Sequence, residues 1–167
     1  MKNIYLIGFM GVGKSTIAKE LAYITGAQRV EMDEVIERQQ EMTIAEIFEI
    51  YGEERFRDLE TELLRSFKGQ ENLIISCGGG SVLRDENAAL MKQSGFIVFL
   101  TAEPETVYER VKNSAKRPIL NGNMSVTFIR ELMEKRRARY ETLADIHVQT
   151  DGKDTLSICR EVLRQVG

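Results

Sequence analysis

Apolar positions along the chain recur at two different spacings, and the spacings alternate. Residues 3–7 are an apolar, β-prone run. They are followed by a helical stripe of Ile17, Leu21 and Ile24 that stops near Gly26, a residue suited to cap a helix C-terminus. Residues 29–32 are a short second strand. Thr43 and Glu46 have the spacing of a capping box, and Ile44, Ile47, Phe48 and Tyr51 follow at helical intervals. A second stripe of Phe56, Leu59, Leu63 and Phe67 runs on past Gly52. Residues 73–77 are a compact apolar strand, 85–94 a helix stopped by Gly95, and 96–101 the next strand. Residues 103–112 and 129–140 read as helices and 146–150 as a last short strand. Leu156, Cys159, Leu163 and Val166 make a closing helix. Strands that alternate with helices predict an α/β fold, a parallel sheet covered on both faces. The segment 113–125 breaks the pattern. It is polar, contains Pro118, Gly122 and three asparagines, and is either an ordinary surface loop or a lid.

Composition narrows the classes. The 167 residues are 43% hydrophobic and 29% charged, an ordinary globular balance that suits one domain with its own core. The net charge of −3 offers no basic field for nucleic acid. No stretch is long enough to span a membrane, and the run 4–10 is too short for a secretory leader, so a cytoplasmic location is expected. Cys77 and Cys159 lack metal-ligand spacing and sit in apolar segments, as buried free thiols would.

Chemistry enters at Gly8, where the chain reads G-F-M-G-V-G-K-S to Ser15. This is the G-x-x-x-x-G-K-[ST] pattern between a strand and a helix. The glycines let backbone N–H groups converge on phosphate oxygens, and the helix that starts near Lys14 points its positive end at the anion. Lys14 reaches the β- and γ-phosphates, and the Ser15 hydroxyl is a magnesium ligand. The loop therefore implies a nucleoside triphosphate and leaves the phosphate acceptor open.

Three features bear on the acceptor. The loop, Asp33 and Gly78–Gly79–Gly80 each follow a strand, and in a parallel sheet such strand ends share one edge, where ligands bind. Three glycines exceed what a turn needs and are consistent with backbone that approaches a ligand closely, though a flexible turn would read the same. Arg136 falls inside the apolar stripe of Ile129, Leu132, Met133 and Tyr140, while Arg130, Arg137 and Arg139 fall off it. An inward arginine needs an anion, either a buried carboxylate or a ligand. Glu60 lies within the stripe of Phe56, Leu59 and Leu63, with Arg57 one turn before it. Their spacing permits a surface ion pair or a core-facing one that would pose Arg57 for another anion.

Taken in order, "GFMGVGKST", "MDEVIE", "EERFRDLE", "ISCGGG", "KRPIL" and "MEKRRARYETLAD" resemble shikimate kinases over essentially the whole chain. The resemblance implies ATP-dependent phosphorylation of the 3-hydroxyl of shikimate, with Mg2+, on the way to chorismate and the aromatic amino acids. It implies a three-layer α/β/α P-loop kinase fold with five parallel strands in order 2-3-1-4-5, acting as a monomer. It implies that Asp33 binds the shikimate hydroxyls and takes a proton, and that Arg57 and Arg136 clamp the carboxylate. Gly79, within Gly78–Gly80, would contact substrate through its backbone. The nucleotide would sit on Gly11, Val12, Gly13, Lys14, Ser15 and Thr16. Arg110 would lie against adenine, and Arg117, in the lid, would reach the transferred phosphate. The chain departs from the family in two places. Where the family has Asp-Thr-Asp or Asp-Ser-Asp, this chain has Glu31-Met32-Asp33, so the acid that orders magnesium, often through water, gains a methylene. The segment 151–155, expected near adenine, lacks a proline that some members carry and offers Lys153 instead. The rival readings are a related small-molecule kinase, for example one acting on gluconate, and a nucleotide-binding module that has lost catalysis.

Overall fold

The structure, a computed structural model, describes residues 1–112 and 125–167. Its strands are β1 (Asn3–Ile7), β2 (Gln28–Glu31), β3 (Leu73–Ser76), β4 (Gly95–Thr101) and β5 (Ile146–Gln149). They form one sheet in the order β2-β3-β1-β4-β5, and every neighbouring pair is parallel. The helices are α1 (Lys14–Thr25), α2 (Met32–Gln40), α3 (Ile44–Tyr51), α4 (Glu53–Ser66), α5 (Asp85–Ser94), α6 (Pro104–Val111), α7 (Val126–Leu143) and α8 (Thr155–Val166). The three-layer α/β/α arrangement and strand order are those the family resemblance implies.

The central strand explains the layers. All five residues of β1 are buried, so both of its faces are covered. Side chains alternate across a strand. Ile4 and Leu6 join Ile17, Leu21, Val98 and Ile158 in one core, beneath α1 and α8. Tyr5 and Ile7 join Phe56, Leu63, Ile75 and Met91 in the other, beneath α4 and α5. Burying one such aliphatic side chain contributes about 2 kcal/mol. The expected capping box is present: Glu46 N–H donates to Thr43 Oγ1 and Thr43 N–H to Glu46 Oε1, both at 3.1 Å. Both cysteines are buried and free, as expected.

The structure corrects the sequence reading in four places. Helix α2 was not anticipated, and Met32 opens it rather than ending β2. The Met32 side chain is wholly buried and Asp33 and Glu34 occupy the first turn, where the positive helix end favours acids. Helix α7 begins at Val126, three residues before Ile129, with Ser125 Oγ accepting from Phe128 N–H at 3.1 Å. It also runs on past Tyr140 to Leu143. Gly95 is at once the last cap of α5 and the first residue of β4, because its backbone is extended and lies against Asn3. The expected lid at 113–125 lies outside the described residues except for Ser125. No helix among the described residues is long and apolar enough to cross a membrane.

Candidate active site

The phosphate-loop pattern lies between β1 and α1, as the motif requires. Gly11 and Gly13 take positive φ angles of 81° and 100°, a conformation that disfavours side chains. Gly13 is the N-cap of α1 and supplies no side-chain hydrogen bond to the first turn. The first-turn N–H groups of a helix have no partner within it, so this end is suited to an anion. Gly8 packs directly on the Leu100 carbonyl, which seats the loop on the sheet edge. The Lys14 ammonium donates to the Gly8 carbonyl at 2.6 Å and to the Phe9 carbonyl at 3.0 Å. Val12 is buried, whereas Ser15 and Thr16 are exposed at the mouth. Arg110, on α6, donates from Nη1 to the Gly11 carbonyl at 3.0 Å and so lies across the loop.

Ser15 Oγ donates to Glu31 Oε2 at 3.0 Å. Arg29 Nη1 holds the other oxygen, Oε1, at 3.3 Å. Burial pushes the Glu31 carboxyl above its ordinary range, against the pull of Ser15, Ser76 and Arg29. The longer acid thus still reaches the loop serine. Two hard oxygen donors beside a phosphate loop fit Mg2+, which keeps most of its shell from phosphate and water. No cluster of three or more acidic, His or Cys side chains able to hold a metal occurs among the described residues.

A second cluster is built around Gly78–Gly79–Gly80, just after β3. Each glycine leaves room for a functional side chain where a methyl group would stand. At Gly78 the would-be carbon lies 2.9 Å from Glu60 Oε2 and 3.2 Å from Asp33 Oδ1. At Gly79 it lies 3.1 Å from Arg136 Nη1, and at Gly80 2.5 Å from Arg57 Nη1 and Nη2. Four side chains from α2, α4 and α7 therefore close on three consecutive residues. The same point at Gly79 is 4.0 Å from the Gly8 carbonyl that holds Lys14, so this cluster and the phosphate loop lie side by side.

Charge within this cluster is only partly balanced. Arg57 and Glu60 face the core, with relative exposures of 8% and 0%. Arg57 Nη1 donates to Glu60 Oε1 at 2.7 Å, and Nη2 to Glu53 Oε1 at 3.0 Å. Of the two spacing-allowed alternatives, the structure has the buried pair. Burial pushes the Glu60 carboxyl up to about 7 against the pull of Arg57, and neighbouring Asp33 adds to the rise. Glu60 Oε2 and Arg136 Nη1 are buried and make no hydrogen bond among the described residues. Arg136 is the inward arginine the stripe predicts, and no carboxylate among the described residues pairs with it in an ion pair. Arg130 and Arg137 face solvent and pair with Glu105, Glu134 and Glu141. Arg139 is half-buried and donates from Nε to the Val82 carbonyl at 2.7 Å, so it too turns toward the protein.

Other assignments divide. Arg117 lies outside the described residues. Lys153, expected near the nucleotide, is 3.0 Å from Glu161 on α8. Asp151 instead organises that loop, accepting from Glu103 N–H at 3.0 Å and from Thr106 Oγ1 at 2.5 Å. These bonds hold its carboxyl below the usual range despite burial. Two further residues escaped the sequence reading. Spacing presents Glu60 only as a partner for Arg57, yet it also borders Asp33. Tyr140 read only as core, yet its hydroxyl donates to the Gly79 carbonyl at 2.5 Å. Its position one turn after Arg136 was the available signal. A separate cleft of about 540 Å³ lies between α7 and the β4–β5 edge, lined by Phe99, Met133, Tyr140 and His147. Lys14, Asp33, Arg57 and Arg136 are not among its walls.

The family model described as Shikimate kinase matches residues 10–167. A shikimate kinase of Persephonella marina is 43% identical over 99% of this chain and 99% of its own. One from Bacillus mycoides is 40% identical over 99% of both chains. The solved structure of Acinetobacter baumannii shikimate kinase in complex with shikimate superposes with a TM-score of 0.93 at 31% identity. It covers 98% of this chain and 92% of that one. A gluconokinase from Sinorhizobium meliloti reaches a TM-score of 0.61 at 16% identity, which is a likeness of fold alone.

Proposed function

The chain belongs to the shikimate kinase family, and on that premise we propose that it transfers the γ-phosphate of ATP to the 3-hydroxyl of shikimate through the residues described above. One observation carries the assignment of roles. Two arginines and an aspartate close on Gly78–Gly80, and that turn lies beside the loop carbonyl that holds Lys14.

Phosphoryl transfer asks the protein for alignment and charge neutralisation more than for covalent chemistry. Arg57 and Arg136 are the carboxylate clamp. A planar carboxylate suits guanidinium groups, and the buried Arg136 Nη1 has the hydrogen-bonding capacity to spare. Arg57 is held in its pose by Glu60 and Glu53. Asp33, in the first turn of α2, accepts the shikimate hydroxyls and takes the proton of the attacking one. Gly79, which has no side chain, lets the cyclohexene ring of the substrate approach its backbone.

On the nucleotide side, Gly11 to Thr16 receive the phosphates. Lys14 exchanges its two loop carbonyls for β- and γ-phosphate oxygens. Arg110 lies against the adenine end, and Arg117 is assigned to the transferred phosphate by the family motif. Ser15 and Glu31 would hold Mg2+, which neutralises phosphate charge when bound. Arg29 fixes Glu31 so that its longer side chain still meets Ser15. Retention of Lys14, Ser15 and Asp33 in one site favours an active enzyme over a silent nucleotide-binding module.

The test is ADP release measured with ATP, Mg2+ and shikimate, beside gluconate and no acceptor. Release that depends on shikimate is expected. Release driven by gluconate, or ATP binding without turnover on either acid, would overturn the proposal.

A further inference from the structure

We propose that Tyr140 is a positioning residue for the acceptor site: its hydroxyl fixes the Gly79 carbonyl and thereby locks Arg136 and the Gly78–Gly80 turn into one register. The inference rests on the functional reading above and deepens it.

Three consecutive glycines have no side chains of their own to restrict the turn, so something else must hold its peptide planes. Part of the restraint is local. Ser81 N–H and Ser81 Oγ both donate to the Gly78 carbonyl, at 3.1 and 2.7 Å, and Leu83 N–H donates to the Gly80 carbonyl at 3.1 Å. The middle carbonyl, that of Gly79, is held from across the site by Tyr140 at 2.5 Å. In a trans peptide the C=O and the following N–H point in opposite directions. Fixing the Gly79 carbonyl toward α7 therefore aims the Gly80 N–H away from α7.

The tie also reaches Arg136. Tyr140 stands four residues later on the same helix, one turn or about 6 Å along α7, on the same face. Arg136 Nη1 lies against Gly79 and the Tyr140 hydroxyl bonds Gly79. A sliding or rotation of α7 would break both contacts at once. The ring is anchored independently of the hydroxyl: it is 2% exposed and stacks on Phe99 of β4, with centroids 5.0 Å apart. Packing alone would be served by phenylalanine. The hydroxyl is what joins the helix to the turn.

Tyr140→Phe keeps the ring and deletes the bond. Wild type and variant are compared for shikimate KM, ATP KM, kcat and thermal midpoint. The shikimate KM is expected to rise about tenfold, the scale of one lost buried hydrogen bond. ATP KM should stay within twofold and kcat should change less than shikimate KM. Phe99→Leu is the second variant. It loosens the ring's packing, spares the hydroxyl, and should lower the midpoint while leaving shikimate KM near wild type. An unchanged shikimate KM in Tyr140→Phe would overturn the proposal. So would equal rises for shikimate and ATP, or a rise in Phe99→Leu matching that of Tyr140→Phe. If wild type itself shows no shikimate-dependent turnover, it is the underlying functional reading that fails, and the two failures are distinct.

Discussion

Glu60 offers a direct test of how charge is balanced beneath the acceptor site. Its carboxyl is wholly buried, 2.7 Å from Arg57, and near Asp33, while Arg84 contributes a weaker attraction. Burial wins over Arg57 and lifts the carboxyl from 4.5 to about 7. An acid whose pKa is raised on folding binds its proton more tightly in the native state. It therefore adds stability below the unfolded value, and that stability is lost as pH climbs to the folded value. At about 1.4 kcal/mol per pH unit, the rise corresponds to about 3 kcal/mol. The perturbation is Glu60→Gln, which keeps shape and removes the titration. Urea unfolding of both proteins at pH 4 to 8 is the assay. Wild type should lose about 3 kcal/mol relative to the variant across this range, most of it between pH 5 and 7. Shikimate binding adds a negative charge beside Arg57, so binding near pH 7 should also take up protons, visible by calorimetry in two buffers. A wild type that gains stability over Glu60→Gln as pH rises would refute the reasoning. It would mean that Arg57 overcomes burial and that the pair is fully ionised.

Other substitutions separate the two halves of the site. Arg136→Ala should raise shikimate KM about thirtyfold or more, the scale of truncating one partner of a buried charge contact. ATP KM should be nearly unchanged, and equal losses for both would remove Arg136 from the clamp. Gly80→Ala places a methyl group against the Arg57 guanidinium. It should cost about 1–3 kcal/mol of stability by overpacking and raise shikimate KM. A variant equal to wild type in thermal unfolding and in KM would contradict the packing described. Lys14→Ala should lower kcat at least about a hundredfold, in line with removal of one preorganised donor to the reacting phosphate. Shikimate binding measured without nucleotide should persist, and retained turnover would exclude Lys14 from the mechanism.

What sequence could reveal depended on the length scale of each signal. The phosphate loop is a contiguous pattern with its strand and helix on either side, and the structure has it in place. The Arg136 stripe was legible because α7 is long enough for 100° steps to separate inward from outward residues. Helix α2 was not legible. It has nine residues and a polar average, and Met32 at its start looked like the end of β2. Arg57 and Glu60 could be paired from spacing, but whether that pair was buried depended on how α4 meets β3 and the glycine turn. Tyr140 shows the same limit: periodicity placed it in the core, and only the fold brings residue 79 to its hydroxyl. The Lys153–Glu161 pair, eight residues apart across the start of α8, is likewise set by the fold and not by a local pattern.

The strand order has a consequence for how the chain is made. β1 is made before the other strands of the sheet, yet Ile4 pairs with Ile74 on one side and Phe96 on the other. Gly8 finds its seat only on Leu100. During synthesis the central strand must therefore wait for partners about seventy to ninety residues downstream, a long-range closure that slows folding. The phosphate loop, made right after β1, gains its seat only once Leu100 has been made. A nascent chain halted before β4 has the whole motif without the Leu100 seat that Gly8 packs on.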